Sequence, residues 1–249
     1  MAIPRRKTAA AAFIASPILF LIAFGVAGVS VRALALSAAN ADLFDLAASI
    51  ERQAQPDADY LSRFVAGKGL DQVSLDCGDS FTRASLTVNL AALDAATKAL
   101  DVPASDAAER NVIRAAEHRL ACNPLDGNAW LRYAMVENKG AGPVKSVIDA
   151  LRASYWTAPN EGWIIESRLP FATNLVLAGA GGFEAEYVDD LRRFASYEST
   201  SRVASAYVAV SRPVRQRMRP LIDGEPETRR KAILAEIDGL GVDYARDAQ

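Results

Sequence analysis

From Thr8 to Val31 the chain runs for 24 residues without a charge, TAAAAFIASPILFLIAFGVAGVSV, and no run like it recurs. Arg5, Arg6 and Lys7 precede it and Arg32 closes it. Beyond Leu34 the pattern changes: apolar residues recur at helical spacing, as in Leu43, Leu46, Ala47 and Ile50. No long alternating β pattern interrupts this, so the expected fold is all-α.

The N-terminal run predicts a transmembrane helix. At 1.5 Å per residue its length is about 36 Å, against a hydrocarbon core of about 30 Å. The positive-inside rule places Arg5, Arg6 and Lys7 in the cytoplasm and everything after Arg32 across the membrane. Pro17 within the span is tolerable in a membrane helix. A cleaved signal peptide is the competing reading, because Ala39-Asn40-Ala41 before Asp42 resembles a small-residue cleavage site. Such a peptide carries an apolar region of about 7–15 residues, much shorter than this one, which favours an uncleaved anchor.

The expected organisation is a basic cytoplasmic N-terminus over 1–7 and a membrane span over 8–31. A helical stalk with the first helices follows over 32–104, then helical repeats over 105–170 and C-terminal helices over 171–249. Within these, Pro56-Asp57 opens a helix that Gly67-Lys68-Gly69 ends. Asp79 or Ser80 can cap a longer helix running to Leu100. Pro103 is expected to break that helix and Ser105 to cap the next. The last four helices are expected near Phe183–Ala195, Ser201–Val210, Pro213–Ile222 and Pro226–Leu240.

A repeat emerges between Asp106 and Leu169. AEHRLACNPLDGNAWLRYA, Ala116 to Ala134, ends one helix at a proline, turns, and opens the next with a tryptophan. LRASYWTAPNEGWIIESRL, Leu151 to Leu169, does the same. The pattern resembles the tetratricopeptide repeat, a helix–turn–helix unit of about 34 residues. The resemblance covers about one and a half units. It implies that Trp130, Tyr133, Ala134, Leu151 and Ser154 pack helix on helix and that Pro159 closes a unit. Two features depart from the family. Arg119 stands where a small residue is usual, and the interval from proline to tryptophan differs between the turns. Fewer than three units rarely stand alone, so flanking helices are expected to complete the stack.

Composition narrows the function classes. A formal net charge of −2 argues against an electrostatic nucleic-acid binder. His118, Cys77 and Cys122 are the whole supply of histidine and cysteine, and structural zinc sites need four ligands of these types. No cofactor motif is present: the glycines from Gly179 to Gly182 lack the following Lys-Ser/Thr of a phosphate loop. His118, on a repeat helix between Glu117 and Arg119, is expected on the surface. Asp57 with Asp59, and Asp189 with Asp190, are expected to be solvated or to diverge rather than form a catalytic pair.

The candidate functional residues are therefore those of a binding surface. Trp130, Tyr133, Tyr155, Trp156 and Trp163 concentrate aromatic area in the repeat region, and most are expected in the core. Trp156 is surplus to the repeat pattern and is the partner-facing candidate, with Tyr155 beside it. Arg212, Arg215, Arg217 and Arg219, in SRPVRQRMR, form the densest basic stretch. They point to an anionic polysaccharide, lipid headgroups or an acidic protein face. Cys77 and Cys122 are a candidate disulfide in an oxidising compartment, with two buried thiols as the alternative. The expected function is a scaffold or adaptor, without enzymatic activity, anchored in the bacterial inner membrane and facing the periplasm. Its expected partners are other envelope proteins, in an assembly such as polysaccharide synthesis or export. The alternatives are an enzyme acting on glycans with two carboxylates, and a secreted binding protein cleaved after Ala41.

Overall fold

The computed structural model describes residues 8–70, 77–138 and 145–246, with side chains from Leu19 onward except at 32, 33 and 36. Twelve α-helices and no strand occur among the described residues. Among the described side chains of the first, α1 (Thr8–Ala39), apolar ones face every direction: Leu19, Phe20, Leu21, Phe24, Val29 and Leu34 are each at least 64% exposed. Part of the expected span over 8–31 lies outside the described side chains. Among the described residues no helix is long and apolar enough to cross a membrane.

Asn40 alone separates α1 from α2 (Ala41–Glu51). This break divides the helical stalk expected beyond Leu34. Lys68 straps the junction, bonding Asp42 at 2.7 Å and donating to the Ala39 carbonyl at 3.4 Å. Helix α3 (Ala58–Gly67) starts at Asp57, whose carboxylate accepts from the Asp59 and Tyr60 amides. Such a cap satisfies donors that the first helical turn leaves unpaired. Helices α2 and α3 pack on α4 (Asp79–Lys98) around Leu43, Leu61, Val65 and Val88.

Helix α5 (Val102–Cys122) begins earlier than expected. Asp101, not Ser105, is its cap, accepting from the Ala104 amide at 3.0 Å. Pro103 lies in the first turn, where its missing N–H costs nothing, so it opens α5 instead of only ending α4. Helices α4 and α5 pack along each other, as do α6 (Gly127–Glu137) and α7 (Lys145–Thr157), and α5 also meets α6.

Helix α8 (Gly162–Leu177) runs straight through Pro170, where the repeat region was expected to stop. An interior proline costs about 3 kcal/mol by removing one backbone bond and crowding the preceding turn. Ala172 and Leu175, both buried beyond it, offset that cost by joining the core. The remaining helices are α9 (Glu184–Tyr197), α10 (Thr200–Ala209), α11 (Arg212–Asp223) and α12 (Glu227–Gly239), each close to its expected bounds. One continuous apolar cluster links α6 to α12, through Leu131, Leu151, Phe183, Tyr187, Tyr207 and Ile233. Two smaller clusters serve α2–α4 and α4–α6. Trp130 is half-buried and touches both the large cluster and the α4–α6 one.

The helix boundaries share one offset. Helices α5 and α7 end at Cys122 and Thr157, and α6 and α8 begin at Gly127 and Gly162, in both cases 35 residues apart. Trp130 and Trp163 are 33 apart and do not share a position. The residue 35 beyond Trp130 is Ile165, which is buried, while Trp163 is 54% exposed. Gly127 meets the far end of α7 so closely that a Cβ there would lie 2.4 Å from the Ala158 Cβ.

Candidate functional site

Two buried arginines organise the helix turns. At the first, Arg119 of α5 donates to Asp126 at 2.6 Å, to the Asp79 carboxylate at 2.6 Å and to the Thr82 hydroxyl at 2.8 Å. Asp126 also caps α6 by accepting from the Ala129 amide, so the guanidinium ties three helices together. Here lies the reason a large residue stands where a small one was expected: its charge is used at a seam open to water through Asp79. The flanking carboxylates raise the Arg119 pKa against the burial that lowers it.

At the second turn the residue 35 beyond Arg119 is Ser154, fully buried, and the arginine comes from α8 instead. Arg168 fills the space that Ser154 leaves. It makes two bonds to Asp190 at 2.7 and 2.9 Å and one to the Ser154 carbonyl at 2.8 Å. Both charges are almost wholly buried. Burial pushes the Asp190 carboxyl up, and the Arg168 donors oppose that shift. Asp189 points away, to Arg192 and Arg193, so the adjacent acids do diverge. Tyr155 lies under the Arg168 guanidinium, 4.1 Å from it, and is 5% exposed. It cannot face a partner; its position in the core follows from the same cation.

Trp156 is 67% exposed, with Arg152 stacked 5.1 Å from its ring. Trp163 and Tyr197 are exposed as well, the latter to 86%. Between the start of α8 and the end of α9 lies a cavity of about 310 Å³, lined by Asn160, Gly162, Ile165, Arg193, Phe194, Tyr197 and Glu198. Arg193 donates to the Pro159 carbonyl and to Asn160, fixing the turn that forms one wall. Trp163 follows Gly162 directly. Sequence reasoning missed Asn160, Arg193 and Tyr197, because residues 33 and 34 positions apart carry no local signal of meeting.

The basic stretch divides. Arg215 turns inward to the Val208 and Val210 carbonyls, and Arg219 donates to the Tyr244 carbonyl while stacking over its ring. These two hold α11 to its neighbours. Arg212 and Arg217 are exposed.

Cys77 and Cys122 are bonded to each other, with their Cα atoms 5.3 Å apart and a separation of 45 positions in sequence. His118 is half-buried, not on the open surface as expected, and its Nε2 is buried without a hydrogen-bond partner. One ligand atom of each of the three residues lies within 4.8 Å of the others. The spacing of His118 and Cys122, one helical turn apart, was visible in the sequence; the approach of Cys77 from before α4 was not.

The chain matches no known protein-family model, and no curated protein or solved structure matches it.

Proposed function

We propose that this chain is a membrane-tethered scaffold of a bacterial cell envelope, built on helical repeats similar to the tetratricopeptide class. Its domain sits across the inner membrane from the N-terminus and holds a protein partner on the face formed by α7, α8 and α9. The observation that carries this reading is the grouping of exposed aromatics there. Trp156 and Trp163 stand in water at the end of α7 and the start of α8; Trp163 follows Gly162, which lines the cavity that Tyr197 of α9 also lines. Exposed tryptophan is the chemistry of an interface anchor.

Three features support the placement. Helix α1 offers apolar side chains in every direction, which suits lipid better than water. The Cys77–Cys122 bond suits an oxidising compartment. Lys68 bonds both Ala39 and Asp42, on either side of the Ala41–Asp42 bond, and Ala41 begins a helix, which favours retention of the anchor over cleavage after Ala41. Polysaccharide synthesis or export is the assembly favoured, with Arg212 and Arg217 available to an anionic polymer or lipid headgroup. The glycan-enzyme alternative requires two converging carboxylates. Glu198 is the single carboxylate lining the cavity, and it is bonded to Arg202. The scaffold reading is therefore preferred.

The test is a double variant, Trp156→Ala with Trp163→Ala, in the full chain in detergent-solubilised membranes. The Tm should stay within about 2 °C of the parent, because neither ring is in the core. Crosslinked partner recovered with the variant should fall several-fold. Undiminished recovery from a folded double variant would exclude this face. A reporter fused at Gln249 that is active only outside the cytoplasm should be active, and activity of a cytoplasmic reporter would reverse the topology.

A further inference from the structure

We propose that Cys77, His118 and Cys122 form a zinc(II) site that is closed by the disulfide and opened by its reduction. Counting ligands rules out a four-residue structural site, since the chain has no other cysteine or histidine. It does not rule out a three-residue site. Two cysteines and one histidine with an open fourth position are a recognised zinc coordination set, the last place being taken by water. The fold brings together the only three side chains able to supply it: Cys77 from the segment leading into α4, Cys122 from the last turn of α5, and His118 one turn earlier on α5.

The histidine carries the argument. A disulfide needs no imidazole, yet a ring nitrogen of His118 lies within 4.8 Å of both sulfurs, and its Nε2 is buried with no hydrogen-bond partner. A buried polar atom left unsatisfied is uncommon and calls for a cause. A metal ion shared with the two sulfurs would satisfy it. Zinc–sulfur bonds of about 2.3 Å and zinc–nitrogen bonds of about 2.0 Å place tetrahedral ligand atoms about 3.5–3.8 Å apart. The three ligand atoms already lie within 4.8 Å of one another, so an adjustment of about 1 Å closes the nitrogen onto the site. The sulfurs must separate, and Cys77 is placed to do so, being exposed in the segment that leads into α4.

The redox step balances with an external dithiol. The dithiol gives two electrons and becomes a disulfide, while the Cys77–Cys122 bond breaks and each sulfur gains a proton. Zinc then binds both sulfurs as thiolates, releasing those two protons, and His118 supplies its neutral nitrogen lone pair. In the oxidised state no thiolate exists and the site is shut. The same three residues are thus a covalent staple or a metal centre, according to the reducing power they meet.

The experiment uses the full chain in detergent, oxidised or reduced with a phosphine that is then removed without oxygen, and titrated with zinc against a chromophoric chelator. Reduced protein should bind one zinc per chain and gain thermal stability with it; oxidised protein should do neither. His118→Ala leaves both cysteines and the disulfide in place. In the reduced state it should weaken zinc binding by at least about tenfold, a loss no smaller than that of an outer-shell partner. His118→Gln should do the same, which separates a lost ligand from a cavity. Absence of stoichiometric binding by the reduced chain overturns the proposal. So does binding that His118→Ala and His118→Gln leave unchanged, for then two thiols act without the imidazole.

Discussion

The N-terminal helices α2–α5 and the later helices α6–α12 solve the same packing problem with different means. The later helices share one apolar cluster, and their principal ion pair, Arg168 with Asp190, is sealed inside it. The earlier helices have two small clusters, an ion pair open to water at Asp79, and a disulfide. A small core contributes less burial, and a covalent link compensates by restricting the unfolded chain. Arginine placement follows the same division. Arg119 sits at a wet seam with three acceptors around it, whereas Arg168 is dry and depends on one carboxylate and a few carbonyls.

That contrast can be broken most forcefully at Arg168. Arg168→Ala strands Asp190 as a buried charge and should cost about 3–5 kcal/mol, read as a lowered urea midpoint. Arg168→Met with Asp190→Leu should recover much of the loss, because an apolar pair of similar bulk needs no charge partner. A double variant as unstable as the single one would mean that the pair does more than fill space.

Reduction of Cys77–Cys122 should come next, at about 3–4 kcal/mol for a closed loop of this size. Its effect should be local: amide exchange should quicken in α2–α5 and remain slow in α8–α12. Uniform acceleration would show the two regions to be one cooperative unit. Trp130→Ala touches the boundary between the clusters and should cost about 2 kcal/mol, less than a fully buried tryptophan because the ring is half exposed. Both regions should loosen together in that variant.

The smallest effect belongs to the junction of α1 and α2. The Lys68 ammonium bonded to Asp42 holds its carboxyl below the usual carboxylate range. A depressed folded pKa adds stability above the unfolded value of about 3.9, and that stability disappears as pH falls through the folded value. The Tm difference between the parent and Asp42→Asn should therefore be small at neutral pH and vanish in acid. A difference that persists below the carboxylate range would remove Lys68 as its source.

The helical class was legible because 3.6-residue spacing recurs from Leu43 onward, and the C-terminal helices were placed by their prolines and caps. Pro103 and Pro170 misled for one reason. A proline marks where a backbone N–H is missing, but tertiary burial decides whether a helix begins there, ends there or continues past. The aromatic cluster was legible as a group and not residue by residue: Trp156 stands in water, while its neighbour Tyr155 is drawn inward by Arg168, a residue 13 positions away. The meeting of Cys77 with His118 and Cys122 depends on α4 lying along α5, and the cavity depends on α9 returning to the turn before α8. Such long-range approach leaves no trace in local spacing.

The close contact between Gly127 and Ala158 sets a rule for how this chain can change over time. A side chain at the first position, or a bulkier one at the second, pushes the start of α6 away from the end of α7. The two turns are therefore keyed to each other, like adjacent teeth of a gear. Relatives of this protein should vary in length between the turns only by amounts that restore the contact, and should retain glycine at the position of Gly127 even where little else is kept. A lineage that lost that glycine would have to rebuild both turns at once.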